Sequence, residues 1–299
     1  MAGTLLVRYG ELALKSPPVR REFESALRRD LLDRFVREGR SARLRSDRGH
    51  LYLEVDEAEP ALRLVRCVFG VTSVSVVEEV PTDRSAIRDR LLDLASSRLA
   101  SGSAFAVRAR RTGSHPFTSQ ELARDLGSDV MDRFPDRSLR VDLTHPTVEL
   151  FVEVRGPRTY LYFDRVEGPG GLPLGVAGRL VARVNGERGA LGAYLMMKRG
   201  CRVGLVTATS SEQLARRVLS RFDPGISVVL VPDADDAWKG PVAALADQVR
   251  ADGIVLPLGI DEFSTARKEW GDRVLFSPTV GLTEEEVTAR WHQVTLLAA

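Results

Sequence analysis

Cysteine, histidine and lysine are scarce in this chain. Of 299 residues only two are cysteine, Cys67 and Cys201, and no C-x-x-C spacing occurs. That excludes a sequence-visible zinc site or dithiol redox pair, and both thiols read as small buried hydrophobes. The four histidines, His50, His115, His145 and His292, are scattered without metal-ligand spacing, so no metal is expected. No run of 18 apolar residues exists, which predicts no membrane-spanning helix. The first strand opens at Thr4, leaving no room for a signal peptide, and a cytoplasmic location is the expectation. G-x-S-x-G, H-E-x-x-H, Walker and G-x-G-x-x-G patterns are all missing, so no catalytic residue is assigned. A charge excess is missing too. The net charge is +2, and basic and acidic side chains balance as 14 to 13, 14 to 13 and 15 to 15 over residues 1–80, 81–167 and 168–299. Affinity for nucleic acid must then come from local patches. Arginine outnumbers lysine 39 to 4. The guanidinium fork suits phosphate, although genome composition explains the same bias.

What is present is the composition of a globular protein, 43% hydrophobic and 28% charged, long enough for two or three domains. Residues 4–79 read β-α-β-β-α-β, with a helix from Pro17 to Glu38 started by Pro17-Pro18 and stopped at Gly39, the order of a ferredoxin-like domain. Residues 81–166 read as a second α/β unit. Its helices lie near Asp83–Leu99 and Gln120–Phe134, and its strands are AFAVRARR, SLRVDL, TVELFVEV and TYLYFDRV, with a hairpin turn at Arg155–Arg158. From about Gly175, strands RLVARV, RVGLVTA, ISVVLV, GIVLPL and RVLF alternate with helices, which predicts a Rossmann-like parallel sheet. A capping box of Thr283 and Glu286 starts the last helix. The fold class expected is α/β, with domains at 1–79, 80–167 and 172–299 and a hinge at GPGGLP (Gly168–Pro173).

Three motifs carry the chemistry. The stretch from Gly168 to Cys201 reads as a glycine-rich turn, a strand to Val184, a loop to Gly189 and a helix from Ala190. A loop between a strand and a helix N-terminus can hold phosphate on its free N–H groups. Its flanks, GPGGLP and AYLMMKRG, resemble the tRNA 4-thiouridine synthase (tRNA sulfurtransferase) family, as does the opening RYGELALK of residues 8–15. The third motif, AVRARR followed by SHPFTS, resembles the core of a THUMP domain, an RNA-binding module of tRNA-modifying enzymes. In that strand Arg108 and Arg110 share one face. Arg111 ends the strand, and Thr118 or Ser119 would cap the next helix and leave N–H groups for a phosphate. The resemblance runs along the whole chain and is strongest over residues 4–15, 104–121 and 166–201. It implies a ferredoxin-like N-terminal domain, a THUMP domain and a Rossmann-like ATP-pyrophosphatase domain. It places RNA contacts on Lys15, Arg20, Arg21, Arg108, Arg110, Arg111, His115, Thr118 and Ser119.

The loop itself departs from the family's Ser-Gly-Gly-x-Asp-Ser pattern. Counted back from Ala193 and Tyr194, it falls on Val184, Asn185, Gly186, Glu187, Arg188 and Gly189. Only Gly186 matches; both hydroxyls are gone and Arg188 replaces the aspartate. Glu187 adds a negative charge that opposes phosphate. Three readings stand: a broken ATP site, an altered anion site using Arg188, or a solvated turn. The stretch DADDAWKGPVAALADQVRADG is shorter than its family counterpart, and no cysteine follows Cys201. The resemblance thus implies a protein that binds the acceptor end of tRNA with a degenerate ATP site. It would use no cofactor, form a homodimer and serve a sulfur-transfer or other tRNA-modifying partner. An active, ATP-using sulfurtransferase and a scaffold that binds no RNA are the alternatives.

Overall fold

The structure, a computed structural model, describes residues 3–10, 16–47, 49–234 and 238–299. In chain order the first elements are β1 (Gly3–Tyr9), α1 (Pro17–Arg37), β2 (Ala42–Asp47), β3 (His50–Val55), α2 (Ala58–Val65) and β4 (Val71–Pro81). This is the β-α-β-β-α-β order expected. Then come α3 (Arg84–Arg98), β5 (Ala104–Thr112), α4 (Ser119–Arg133), β6 (Arg140–Val141), β7 (Val148–Arg155), β8 (Arg158–Tyr162) and β9 (Val166–Glu167). The third stretch holds β10 (Arg179–Val184), α5 (Glu187–Lys198), β11 (Arg202–Ala208), α6 (Ser220–Phe222), β12 (Val228–Val231), α7 (Lys239–Val249), β13 (Gly253–Val255), α8 (Phe263–Trp270), β14 (Leu275–Phe276) and α9 (Glu284–Ala298). A π-helical segment, Leu214–Leu219, leads directly into α6.

The chain divides into two compact units. The first comprises residues up to Leu6, Tyr52–Leu62 and Ser75–Val166; the second comprises Val7–Leu51, Arg63–Val74 and Glu167–Ala299. In the first unit the strands lie in the order β3-β1-β4-β8-β7-β5-β6. β5 runs parallel to β7, which sets Arg108 beside Phe151 and Arg110 beside Glu153. One face of this sheet is covered by α3 and α4, whose Ile87, Leu91, Leu122, Leu126 and Val130 pack on Phe105, Val107, Leu150 and Val152. A smaller cluster of Leu6, Tyr52, Val77, Tyr160 and Tyr162 includes stacked Tyr52 and Tyr160 rings, 4.6 Å apart. Caps fix where the helices begin. The Asp83 carboxylate accepts the Ser85 and Ala86 N–H groups, and Thr118 forms a capping box with Glu121. Each such cap contributes about 1 kcal/mol. The expected SLRVDL strand shrinks to Arg140–Val141. Ser138 sits at φ 48 before it, and after it the Asp142 carboxylate takes the N–H groups of Thr144 and His145.

In the second unit β12-β11-β10-β13-β14 form an all-parallel sheet. It is buried on both faces, which is why its strands are rich in Val, Leu and Ile. On one face α5 and α9 pack over Leu180, Ala182, Val184 and Leu205. On the other α7 and α8 pack over Val181, Val206 and Ile254. The AYLMMKRG flank is core: Tyr194 lies 5.4 Å from Phe69 and 5.0 Å from Phe222 by ring centroid. The GPGGLP segment is anchored rather than loose. Gly170 donates to Val71 O and Leu172 to Lys198 O. Gly171 sits at φ 73 where a Cβ would come 2.2 Å from Lys198 O, so only glycine fits. The expected RVLF strand is limited to Leu275–Phe276.

Candidate functional site

Two sites follow from the sequence motifs, one in each unit. In the first unit a groove of about 460 Å³ is lined by Val107–Arg110 of β5, the start of α4 (Ser119, Gln120, Ala123), Glu149 and Phe151 of β7, and Arg165. Three guanidinium groups, Arg108, Arg110 and Arg165, face one carboxylate, Glu149, in this lining. The Arg108 Nε donates to Glu149 Oε1 at 2.8 Å, and its Nη2 to Leu143 O at 2.7 Å. Arg108 is therefore held in place and half-neutralised. Arg110 is exposed and has no side-chain partner among the described residues. Arg165 stacks over the Phe151 ring at 4.6 Å and donates to Tyr162 Oη at 3.0 Å. Phe151 in turn stacks on Tyr162, 4.9 Å between centroids and 9° between planes. Arg165 and Phe151 were not visible in the sequence, because the strand pairing that joins them is tertiary.

The helix start beside this groove is built as a cap with donors left over. Thr118 Oγ1 accepts the Glu121 N–H, and the Glu121 carboxylate accepts the Thr118 N–H at 2.7 Å. The bond from the Thr118 N–H, and then one from the Thr118 side chain, hold the Glu121 carboxyl below its ordinary range. The cap uses Thr118, so its hydroxyl is not available to a ligand. The first-turn N–H groups of Ser119 and Gln120 have no intrahelical acceptor, and both residues line the groove. Arg111 and His115 lie outside it. Arg111 Nη1 donates to Gly113 O at 2.9 Å, while the His115 ring stacks on Phe117 at 5.7 Å with Nε2 3.2 Å from Thr112 O. In the second unit Arg20 Nε donates to Glu24 Oε1 at 2.8 Å, an oxygen that also accepts from Tyr9 Oη at 2.7 Å. Burial, and then that bond to Glu24, push the Tyr9 hydroxyl up to about 12. Arg21 is exposed on α1, and Lys15 lies outside the described residues.

The nucleotide loop is shorter than expected. Val184 is fully buried as the last residue of β10, and α5 begins at Glu187, three residues before the Ala190 expected. Only Asn185 and Gly186 connect strand to helix. The reason is Gly189. A Cβ there would lie 2.6 Å from Arg183 O and 3.0 Å from Val184 Cα, so the helix presses against the end of β10 where a serine has no room. Arg188 is committed to the protein. Its Nη1 donates to Thr279 O at 2.8 Å, its Nη2 to Leu282 O at 2.7 Å, and its Nε and Nη2 to Glu284 Oε1 at 3.0 and 2.8 Å. Its side chain is only 18% exposed. Glu187 Oε2 accepts from Thr288 Oγ1 at 2.9 Å. The donors left at the loop are the backbone N–H groups of the first turn of α5, which has no side-chain cap.

Neither cysteine is activated. Burial pushes the Cys67 and Cys201 thiols above their ordinary value, and Sγ donates to Leu297 O and Ala177 O respectively. Among the described residues no group of three or more His, Cys, Asp or Glu side chains could hold a metal ion, and no helix is long and apolar enough to cross a membrane.

Comparison with known proteins places the chain. Residues 4–75 match the ThiI ferredoxin-like domain and residues 82–164 the THUMP domain. A probable tRNA sulfurtransferase of Methanothermobacter thermautotrophicus is 37% identical over 242 residues, 76% of this chain and 60% of that protein. A tRNA sulfurtransferase of Pyrobaculum aerophilum is 33% identical over 250 residues, 80% of this chain and 49% of that protein. The chain thus spans about half to three-fifths of the length of these curated relatives. A Pyrococcus horikoshii protein of known structure superposes with a TM-score of 0.82 at 25% identity, over 98% of this chain and 99% of that one. A 4-thiouridine synthetase, solved with RNA and bound ATP, shares the fold with a TM-score of 0.80 at 22% identity, over 100% of this chain and 86% of that one. The ferredoxin-like and THUMP domains, and the identity that continues past them, show that the chain belongs to the tRNA sulfurtransferase (4-thiouridine synthase) family.

Proposed function

We propose that the protein holds tRNA for uridine thio-modification and does not itself activate the uridine with ATP. The RNA surface is the groove of the THUMP domain. Arg110 and Arg165 supply its available positive charge, and the first-turn N–H groups of Ser119 and Gln120 supply neutral donors. Phe151, under Arg165, gives an aromatic surface of the kind on which unstacked bases rest. That combination suits a single-stranded end, the acceptor end of tRNA, better than an A-form duplex.

The observation that carries the second half is the start of α5. The family's loop has two hydroxyls and an aspartate, and this chain has none of them. Its one added cation, Arg188, is spent on Thr279, Leu282 and Glu284. The residues present do not fit a triphosphate cradle, and no step through ATP is assigned. The raised thiol pKa values of Cys67 and Cys201 argue in the same direction, since a sulfur relay needs a thiolate. The protein then acts beside a sulfur-transfer or other tRNA-modifying enzyme, as a homodimer.

A titration of labelled tRNA, with and without ATP and at several salt concentrations, tests the reading. The expected result is binding that weakens steeply with salt, as phosphate contacts release counterions, and is indifferent to ATP. Salt-independent binding, or none, would remove the RNA-holding role.

A further inference from the structure

A cleft of about 480 Å³ opens at the amino edge of the parallel sheet in the second unit. Three arginines line it: Arg179, the first residue of β10, Arg202, the first residue of β11, and Arg250, which ends α7. A fourth, Arg37 in the last turn of α1, reaches the lining residue Gly225, where an added Cβ would come 3.3 Å from its Nη2. The carboxylate in the lining is Asp223, which is buried and accepts from Arg202 Nη1 at 3.2 Å. Arg202 is thereby engaged. Arg37, Arg179 and Arg250 are exposed, and their side chains have no partner among the described residues.

Two features set these cations against the fold's own preference. Arg179 and Arg202 are register partners on adjacent parallel strands. Like charges then share neighbouring positions about 5 Å apart, which is destabilising. Arg250 sits at φ 52 and ψ 56, a left-handed position at a helix end that glycine takes without strain. The carbonyl end of α7 attracts a cation, yet the last turn of α7 holds no basic residue. The charge stands instead at the left-handed position, where it lines the cleft. Three groups oppose an anion there: Asp223, the α7 carbonyls, and Asp252, whose carboxylate accepts the Arg179 backbone N–H at 2.8 Å. A singly charged carboxylate gains little against them. A phosphate carries more charge, and its several oxygens can pair with more than one guanidinium fork.

We propose that this cleft binds a phosphate group through Arg37, Arg179 and Arg250. The phosphate is either a free anion or part of the backbone of a bound RNA. The site lies at the sheet edge opposite the altered loop and uses no residue of the THUMP groove. Its free-anion form is independent of the RNA-holding reading, and its RNA form rests on it.

The full chain is titrated with inorganic pyrophosphate by calorimetry and with a short RNA hairpin by fluorescence anisotropy. A pyrophosphate Kd that rises at least tenfold in the double variant Arg179→Ala, Arg250→Gly identifies a free-anion site. Unchanged pyrophosphate binding, with RNA affinity at least tenfold weaker and a salt slope lower by about 1.4, identifies an RNA phosphate site. Arg250→Gly alone puts glycine where glycine is favoured, so its thermal midpoint should not fall, while the affected Kd should rise at least threefold. Kd values for both ligands within twofold of the parent in the double variant overturn the proposal and place any bound phosphate elsewhere. Arg110→Ala should leave pyrophosphate binding as it is. Loss of salt-dependent tRNA binding with pyrophosphate binding retained would sink the RNA-holding reading alone.

Discussion

Replacing Arg188 with alanine separates a structural clamp from a ligand-binding cation. Its guanidinium bridges Thr279 O and Leu282 O, and pairs with Glu284 at 2.8 Å. Glu284 is 83% exposed, so the ion pair contributes at most about 1 kcal/mol. The two carbonyl bonds come from a charged donor in a half-buried place, where the lower end of the range, about 1.5 kcal/mol each, applies. Arg188→Ala should then destabilise the second unit by about 3 kcal/mol. At 2–4 °C per kcal/mol this lowers the thermal midpoint by about 6–12 °C. Arg188→Lys, which cannot reach both carbonyls and the carboxylate together, should fall between the two, and Glu284→Gln should cost less than about 1 kcal/mol. The assay is thermal unfolding by circular dichroism, with inorganic phosphate, pyrophosphate and ATP as additives. A midpoint that hardly moves in Arg188→Ala, together with loss of stabilisation by one of these anions, would refute the clamp and make Arg188 a binding residue.

Three further outcomes follow from the same geometry. Arg110→Ala should weaken tRNA binding by about 1.5 kcal/mol, roughly tenfold, and reduce the salt slope by about 0.7, measured by fluorescence anisotropy between 50 and 200 mM salt; the same change at Arg111, turned back onto Gly113, should have a smaller effect. Gly189→Ser should not restore ATP use and should destabilise by about 1–3 kcal/mol, because its Cβ would meet Arg183 O at 2.6 Å; a stable variant that releases AMP would show that the loop can regain the family's form. Glu121 and Glu286 accept the backbone N–H groups of Thr118 and Thr283, which hold their carboxyls below the ordinary 4.5. Their contribution is present above 4.5 and is lost as pH falls through the lowered folded values. The double variant Glu121→Gln, Glu286→Gln should flatten the denaturation midpoint against pH below 4.5, and an unchanged profile would count against the caps.

The fold was legible because local signals agreed with tertiary ones. Pro17 and Gly39, the cap expected at Thr118 or Ser119, the capping box at Thr283, and the switch to apolar strands after Gly175 each mark an element that the structure contains. The short strands were less legible. Arg140–Val141 is cut off by the turn at Asp142, whose carboxylate bonds are not a periodicity. In the groove, the sequence pointed to Arg108 and Arg110 through strand alternation. It could not reveal that Glu149 holds one of them, or that Arg165 and Phe151 complete the lining from positions 41 or more residues away. The helix after β10 starts three residues earlier than its sequence suggests, because Asn-Gly-Glu-Arg-Gly reads as a turn. The close fit of Gly189 against β10 lets the helix begin at Glu187 instead.

The most direct test of the central claim is to measure AMP and pyrophosphate release by the full chain with ATP, a sulfide source and saturating tRNA, alongside the tRNA affinity in the same buffer. The account predicts that tRNA binds with strong salt dependence while AMP stays at the level of a no-protein control. AMP formed in step with thiouridine in the tRNA would contradict it.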